Sequence, residues 1–275
     1  DSSPMTMNGS QSLNEGTLVF SEIEEGGDLV PDESGGIPFS IGDDIVPLPQ
    51  PITLERSNEE DIRLVSYNTW NEGILDGDRQ IHFKRILQAL DPDIIALQEI
   101  KVSDEDFPIH IPEELGYQYF NYGQKGFHGV AIFSKIQPVN IQKGLNGGDD
   151  EIQKRYIQCD YKTDLGLVSV CNSYFPQGEN RKHPDKFPYK ERYYKRITKH
   201  LSTLDNIVIT GDFNIAPNRN DIGMNEDGIK RWLSQGHTAF LPEEIEWYEK
   251  MTLLGLKDVW REKNPDSTKC SWFDY

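Results

Sequence analysis

Four well-separated places in the sequence put carboxylates, amides or a phenol directly after short apolar runs: Tyr67-Asn68, Gln98-Glu99, Asn172-Ser173-Tyr174 and Gly211-Asp212-Phe213-Asn214. Polar groups at strand termini point into the crevice above a sheet. A converging set of carboxylates and amides there can hold a hard divalent cation through oxygen and leave a position open for a phosphate. Taken singly, each is as readily a strand cap or the opening of a turn; the coincidence of four favours a site. In Thr210-Gly211-Asp212-Phe213-Asn214, glycine lets the backbone turn, and Asp212 and Asn214 lie on one side of an extended chain at i and i+2. An Asp so placed can orient or deprotonate a water while the Asn steadies a phosphate oxygen.

These residues need strands to carry them, and the sequence supplies candidates. Short β-branched runs read as strands over Ile62–Tyr67, Ile94–Gln98, Tyr117–Tyr122, Val130–Ser134, Tyr156–Tyr161, Leu167–Ser173 and Ile207–Thr210. Between them, Phe83, Ile86, Leu87 and Leu90 recur at helical spacing from Arg79 until Asp91-Pro92 ends the run. A second helix is expected over Tyr189–Leu204 and a third after Pro242, where Glu243, Glu244 and Glu246 suit the positive end of a helix dipole. Alternation of strands and amphipathic stretches predicts one α/β domain from about residue 61 to the end, of sheets covered by helices. No internal repeat is visible.

The formal charge of −18 at first opposes a nucleic-acid partner. It is unevenly distributed. Residues 1–60 hold 13 acids against Arg56 alone, a net −12, while the other 33 acids and 27 bases give only −6. This leader is rich in Ser, Gly and Pro, with apolar residues too sparse to bury much surface, and is expected to be flexible. In contrast, the stretch from Arg181 to Lys199 carries eight Lys and Arg, Lys186 among them, against Asp185 and Glu191. His183, Phe187, Tyr189 and Tyr193 are interleaved. Such a patch can hold a phosphate backbone without reading sequence, or it can be the solvated face of a helix. Cys159, Cys171 and Cys270 show neither CxxC nor Cys/His spacing, so reduced thiols in a reducing, cytoplasmic compartment are expected, with no structural zinc. No run approaches the roughly 20 apolar residues that span a bilayer.

The strings LVSYNTW, DIIALQE, GFHGVAIFSK, NSYFPQGENRKHPDKFPYK, ITGDFNIAP and CSWFDY resemble the successive motifs of the endonuclease/exonuclease/phosphatase superfamily, most closely its bacterial exodeoxyribonuclease III branch. The likeness runs from about residue 61 to 275 and is tightest after Lys101. It implies a four-layer α/β sandwich of two facing mixed sheets with the active site at one rim. It also implies magnesium, with manganese able to replace it, and a monomer that cuts double-stranded DNA at abasic sites and trims blocked 3′ ends. Carried onto this chain, Glu99 would bind the metal with Asn68 beside it. Tyr174 would reach the scissile phosphate, Asp212 would activate the water, and Asn214 would hold Asp212 and a phosphate oxygen. The turn from Tyr174 to Gly178 and Arg181 resemble the DNA-binding loop of the family, which adds Gln177 and Arg155. Trp272 would wall the pocket for an extruded abasic sugar.

Two departures accompany the match. The last motifs of the superfamily, ending in a Ser-Asp-His string, would lie beyond Tyr275, so a domain lacking its last strands is expected, with incomplete stabilisation of the reacting phosphate as the chain stands. The turn at Asn68-Thr69-Trp70-Asn71-Glu72-Gly73 is longer than in the exodeoxyribonuclease III branch, and a junction of two related sequences near Glu99–Lys101 would account for it. Two other readings stay open: a phosphoesterase acting on phosphoinositides, sphingomyelin or RNA, and a non-catalytic DNA-binding fragment.

Overall fold

Each of the seven apolar runs forms a strand in the computed structural model, which describes residues 61–69, 77–145, 153–164 and 166–270. The leader and Trp272 lie outside the described residues. The first sheet contains β1 (Leu64–Asn68), β2 (Ile94–Gln98), β3 (Gln118–Tyr122) and β4 (Val130–Ser134) in the order β1-β2-β4-β3. The second contains β5 (Asn140–Lys143), β6 (Tyr156–Thr163), β7 (Gly166–Tyr174) and β8 (Asn206–Asp212) in sequential order. Strands β1 and β2 run parallel, as do β7 and β8, and the other pairings are antiparallel. Both parallel pairs are joined by a helical crossover: α1 (Gly77–Leu90) links β1 to β2, and α3 (Lys186–Leu201) links β7 to β8. The two sheets therefore share a pattern of strand pairing, although their strands follow in a different order along the chain and no repeat is legible in the sequence.

Side-chain alternation along the strands builds the layers. Ile94 of β2 and Val130 and Ile132 of β4 face Ile157, Cys159, Val170 and Val208 of the second sheet and form the core between the sheets. Their neighbours Ile95, Leu97 and Phe133 turn the other way and pack with Phe83 and Leu87 of α1. Outside the second sheet, Tyr193, Tyr194, Ile197 and Leu201 of α3 meet Trp247 and Met251 of α5 (Pro242–Thr252). The result is the expected four-layer sandwich of two mixed sheets. Three shorter helices, α2 (His110–Glu114), α4 (Glu226–Gln235) and α6 (Val259–Lys263), were not anticipated, nor was β5.

Cys159 and Cys171 are free and buried, and burial pushes both thiols up to about 12, so they are inert core groups. Among the described residues no helix is long and apolar enough to cross a membrane.

Candidate active site

The four strands of the two parallel pairs end at one rim, and their C-terminal residues meet there. Asn68 closes β1, Glu99 follows β2, Tyr174 closes β7 and Asp212 closes β8. One amide joins the two sheets: Asn68 Nδ2 donates to Glu99 Oε1 and to Asp212 Oδ2, each at 3.0 Å. Glu99 and Asp212 both act electrostatically on the Tyr174 phenol. Three of the residues expected to act together are thus joined through one amide, with Tyr174 beside them, although Glu99 and Asp212 are 113 positions apart in the chain.

The backbone is bent to achieve this. Glu99, Lys101, His128 and Asn214 have φ of 55°, 52°, 50° and 52°. Left-handed conformations of non-glycine residues cost on the order of 1–3 kcal/mol each and persist where surrounding structure enforces them. Gly211 permits the close approach of β8 to β7. A Cβ there would stand 1.9 Å from the Ser173 carbonyl oxygen, so a larger residue would push Asp212 away from Tyr174.

Charge at the rim is tightly managed. Burial pushes the Asp212 carboxyl above the usual carboxylate range, and the charge of Glu99 adds to the shift. The Asn214 backbone N–H, donating to Asp212 Oδ1 at 2.9 Å, opposes it, as do Asn68 and Lys190. Burial likewise lifts the Tyr174 phenol well above its ordinary value, helped by Glu99 and Asp212, so the hydroxyl keeps its proton and can donate. The Arg155 guanidinium lies 4.7 Å from the Tyr174 ring centroid and donates to the Tyr174 carbonyl at 3.0 Å. His128 sits 5.9 Å from the same ring. Burial and the cations Arg155 and Lys101 push its imidazole down to about 3, so it is a neutral wall and not a cation.

Several expected contributions are revised. Arg155 is only 6% exposed, so it supports Tyr174 from behind instead of presenting a surface cation. Asn214 holds Asp212 through its backbone N–H, while its side-chain amide donates to the Phe175 carbonyl at 2.9 Å. The basic and aromatic patch divides in two. Phe187, Tyr189 and Tyr193 are core residues of α3 and cannot stack on bases, and Lys190 is fully buried. Lys182, Lys186, Arg192, Lys195 and Lys199 remain exposed. Gln177 is exposed, Arg181 pairs with Glu243 and Lys186 with Glu179.

Three contributors escaped sequence reading. Lys101 Nζ lies 3.1 Å from Glu99 Oε2. His128 comes from the glycine-flanked loop before β4. Lys190 ion-pairs with Glu244 and donates to the carbonyls of Asn214 at 2.8 Å and Gln177 at 3.2 Å. The second carboxylate oxygen of Glu244 accepts from the N–H groups of Ala239 and Leu241, so this residue does more than sit at a helix dipole. Since a buried ion left alone is costly, Lys190→Met should lower unfolding free energy by about 3–5 kcal/mol, and adding Glu244→Gln should recover part of it. Denaturant unfolding of both variants checks this; equal stability of Lys190→Met and the parent would show the pair to be dispensable.

The donor set can be tested for a cation. Among the described residues no group of three or more His, Cys, Asp or Glu could enclose an ion. Glu99 and Asp212 instead offer hard oxygens from two sides, bridged by one amide. A set this sparse suits a cation that keeps most of its own water, such as magnesium, and does not suit a closed zinc site.

The model of the Endonuclease/Exonuclease/phosphatase family matches residues 65–271. Exodeoxyribonuclease III of Haemophilus influenzae is 45% identical over 202 residues, spanning 72% of this chain and 76% of that protein. An exodeoxyribonuclease of Bacillus subtilis is 26% identical over 219 residues, 78% of this chain and 81% of its own length. Among solved structures, an AP endonuclease from Archaeoglobus fulgidus superposes with a TM-score of 0.68 at 28% identity, covering 78% of this chain and 79% of its own. A Neisseria 3′ phosphatase solved with a product DNA hairpin gives the same score, identity and coverage.

Proposed function

Because the chain belongs to the endonuclease/exonuclease/phosphatase family, we propose that it is a magnesium-dependent DNA phosphodiesterase of the exodeoxyribonuclease III type. It acts at abasic sites and at blocked 3′ ends of duplex DNA, as a monomer whose nuclease domain is residues 61–275. The observation that carries this reading is the single amide of Asn68 bonded at once to a carboxylate of each sheet. That arrangement serves a phosphate held between two sets of groups.

Each residue then has a task. Asp212, held by Asn68 and the Asn214 N–H, accepts a proton from the attacking water. Tyr174, kept protonated by burial and by its anionic neighbours, donates to a phosphate oxygen and stabilises the charge that builds there. Asn214 fixes the orientation of Asp212 and offers the remaining hydrogen of its amide to the phosphate. Glu99, with Asn68, would hold the magnesium ion, which when bound supplies positive charge against the phosphate oxygens. Gln177, Arg181 and Lys186 follow Tyr174 in the chain and bear the DNA backbone, with Trp272 at the sugar. Arg181 and Lys186 reach DNA by exchanging the carboxylates of Glu243 and Glu179 for phosphates, which makes binding steeply salt-dependent.

A duplex with one abasic site, incubated with and without magnesium, tests the proposal. Magnesium-dependent incision 5′ to the site is expected. Salt-sensitive binding without incision would leave a non-catalytic DNA-binding protein, and hydrolysis of a phosphoinositide or sphingomyelin in preference to DNA would move the chain to another branch of the family.

A further inference from the structure

We propose that Asn172 is a positioning residue: it pins one sheet to the other directly beneath the site, and this rests on the reading of the site given above. Asn172 is fully buried on β7. Its Nδ2 donates to the carbonyls of Leu97 at 2.8 Å and Ala131 at 2.9 Å, which are partners across β2 and β4 of the opposite sheet. Its Oδ1 accepts from Gln98 Nε2 at 2.8 Å, and the Gln98 amide also reaches Ser66 Oγ on β1 at 3.2 Å. One side chain of the second sheet therefore engages β2 and β4 of the first directly, and β1 through Gln98.

The location gives the contact its meaning. Gln98 immediately precedes Glu99, and Asn172 stands one same-face step before Tyr174. Around the pin the sheets meet through aliphatic side chains such as Ile94, Ile132, Val170 and Val208. Apolar contact is non-directional and tolerates small sliding of one sheet on the other. Directed hydrogen bonds do not. The bridge from Asn68 to Glu99 and Asp212 spans the same two sheets at 3.0 Å on each side, and a misplacement of about 1 Å at a reacting centre costs on the order of 100-fold in rate. Asn172 thus fixes the sheet-to-sheet register on which the constellation depends, without touching the substrate.

The test uses the full chain carrying Asn172→Leu together with Gln98→Leu, so that neither side-chain amide is left buried without the other. The side-chain amide signal of Asn68 is followed by NMR without metal. It should move and its exchange with water should accelerate about tenfold or more, while the melting temperature stays within a few degrees. In steady-state cleavage, kcat should fall about 100-fold while KM for DNA changes less than about threefold, because the proposed DNA contacts all follow β7 whereas the reacting groups come from both sheets. If the double variant melts below the assay temperature, Asn172→Ala gives the same readouts, since its side chain cannot reach Leu97, Ala131 or Gln98. An unchanged Asn68 signal and unchanged kcat in a folded variant would overturn the pin. A parent chain that does not cleave DNA would instead overturn the proposed function, and the Asn68 signal would still decide the role of Asn172.

Discussion

Asp212→Asn should bind abasic duplex as the parent does and turn it over about a thousandfold more slowly. The substitution keeps the shape of the side chain, and its remaining oxygen can still accept from Asn68 or from the Asn214 N–H, which hold the parent carboxylate at 3.0 and 2.9 Å. It removes only the capacity to take a proton from water. A variant within tenfold of the parent in single-turnover rate would assign the proton to another group. The pH profile of the parent offers an independent check. Burial raises Asp212 above the ordinary carboxylate range in the metal-free protein, and a general base works only when ionised, so kcat should fall as pH decreases through the value that Asp212 takes with the metal bound. Stability runs in the opposite sense. A carboxyl raised in the folded state favours folding below its unfolded value, and that contribution is lost as pH rises through the folded one. Ionised Asp212 therefore weakens the metal-free fold at neutral pH. Asp212→Asn should then melt no lower than the parent at neutral pH, and any advantage should vanish as pH falls through the raised value of Asp212.

How far a site can be read from sequence depends on whether its residues announce themselves locally. Asn68, Glu99, Tyr174 and Asp212 do, because each breaks an apolar run at the point where a strand must end. Their union at one rim follows from two crossover units whose parallel strands finish on the same side. Asn214 announced itself too, yet by residue type alone its side chain was given a task that its backbone N–H performs. Lys190 shows the opposite case. In a run of cations it reads as one more solvated charge, and only the packing of α3 against α5 reveals that it faces inward toward Glu244. The aromatic residues of α3 mislead for the same reason, since Phe187, Tyr189 and Tyr193 occupy the apolar face of a helix whose cations occupy the other. Among the elements, β5 is a four-residue edge strand with mostly exposed side chains, too short and too polar for period-two alternation to register. Helix α4 was legible from its ends. Asn225 accepts from the Gly228 N–H at its start and Gly236 adopts φ of 77° after its end, the pairing of capping residues that brackets a helix. Between those ends only Ile229, Trp232 and Leu233 recur at helical spacing, too few apolar positions to stand out by themselves.

Glu99→Ala should raise the half-saturating magnesium concentration for cleavage by at least about 100-fold, since it deletes the carboxylate that would bind the ion directly and not only its supporting shell. A readout that does not require turnover is the magnesium-induced rise in melting temperature, which the parent should show and the variant should lose. Lys101 sharpens the experiment. In the metal-free protein its ammonium lies 3.1 Å from Glu99 Oε2, in competition with any cation that seeks the same oxygen. Deleting the competitor by Lys101→Met should lower the half-saturating magnesium concentration, opposite in sign to Glu99→Ala. If both substitutions weaken magnesium binding, Lys101 holds the Glu99 carboxylate in place and does not compete for it. If neither changes the magnesium dependence, Glu99 is not the metal ligand, and the cation must be sought around Asp212.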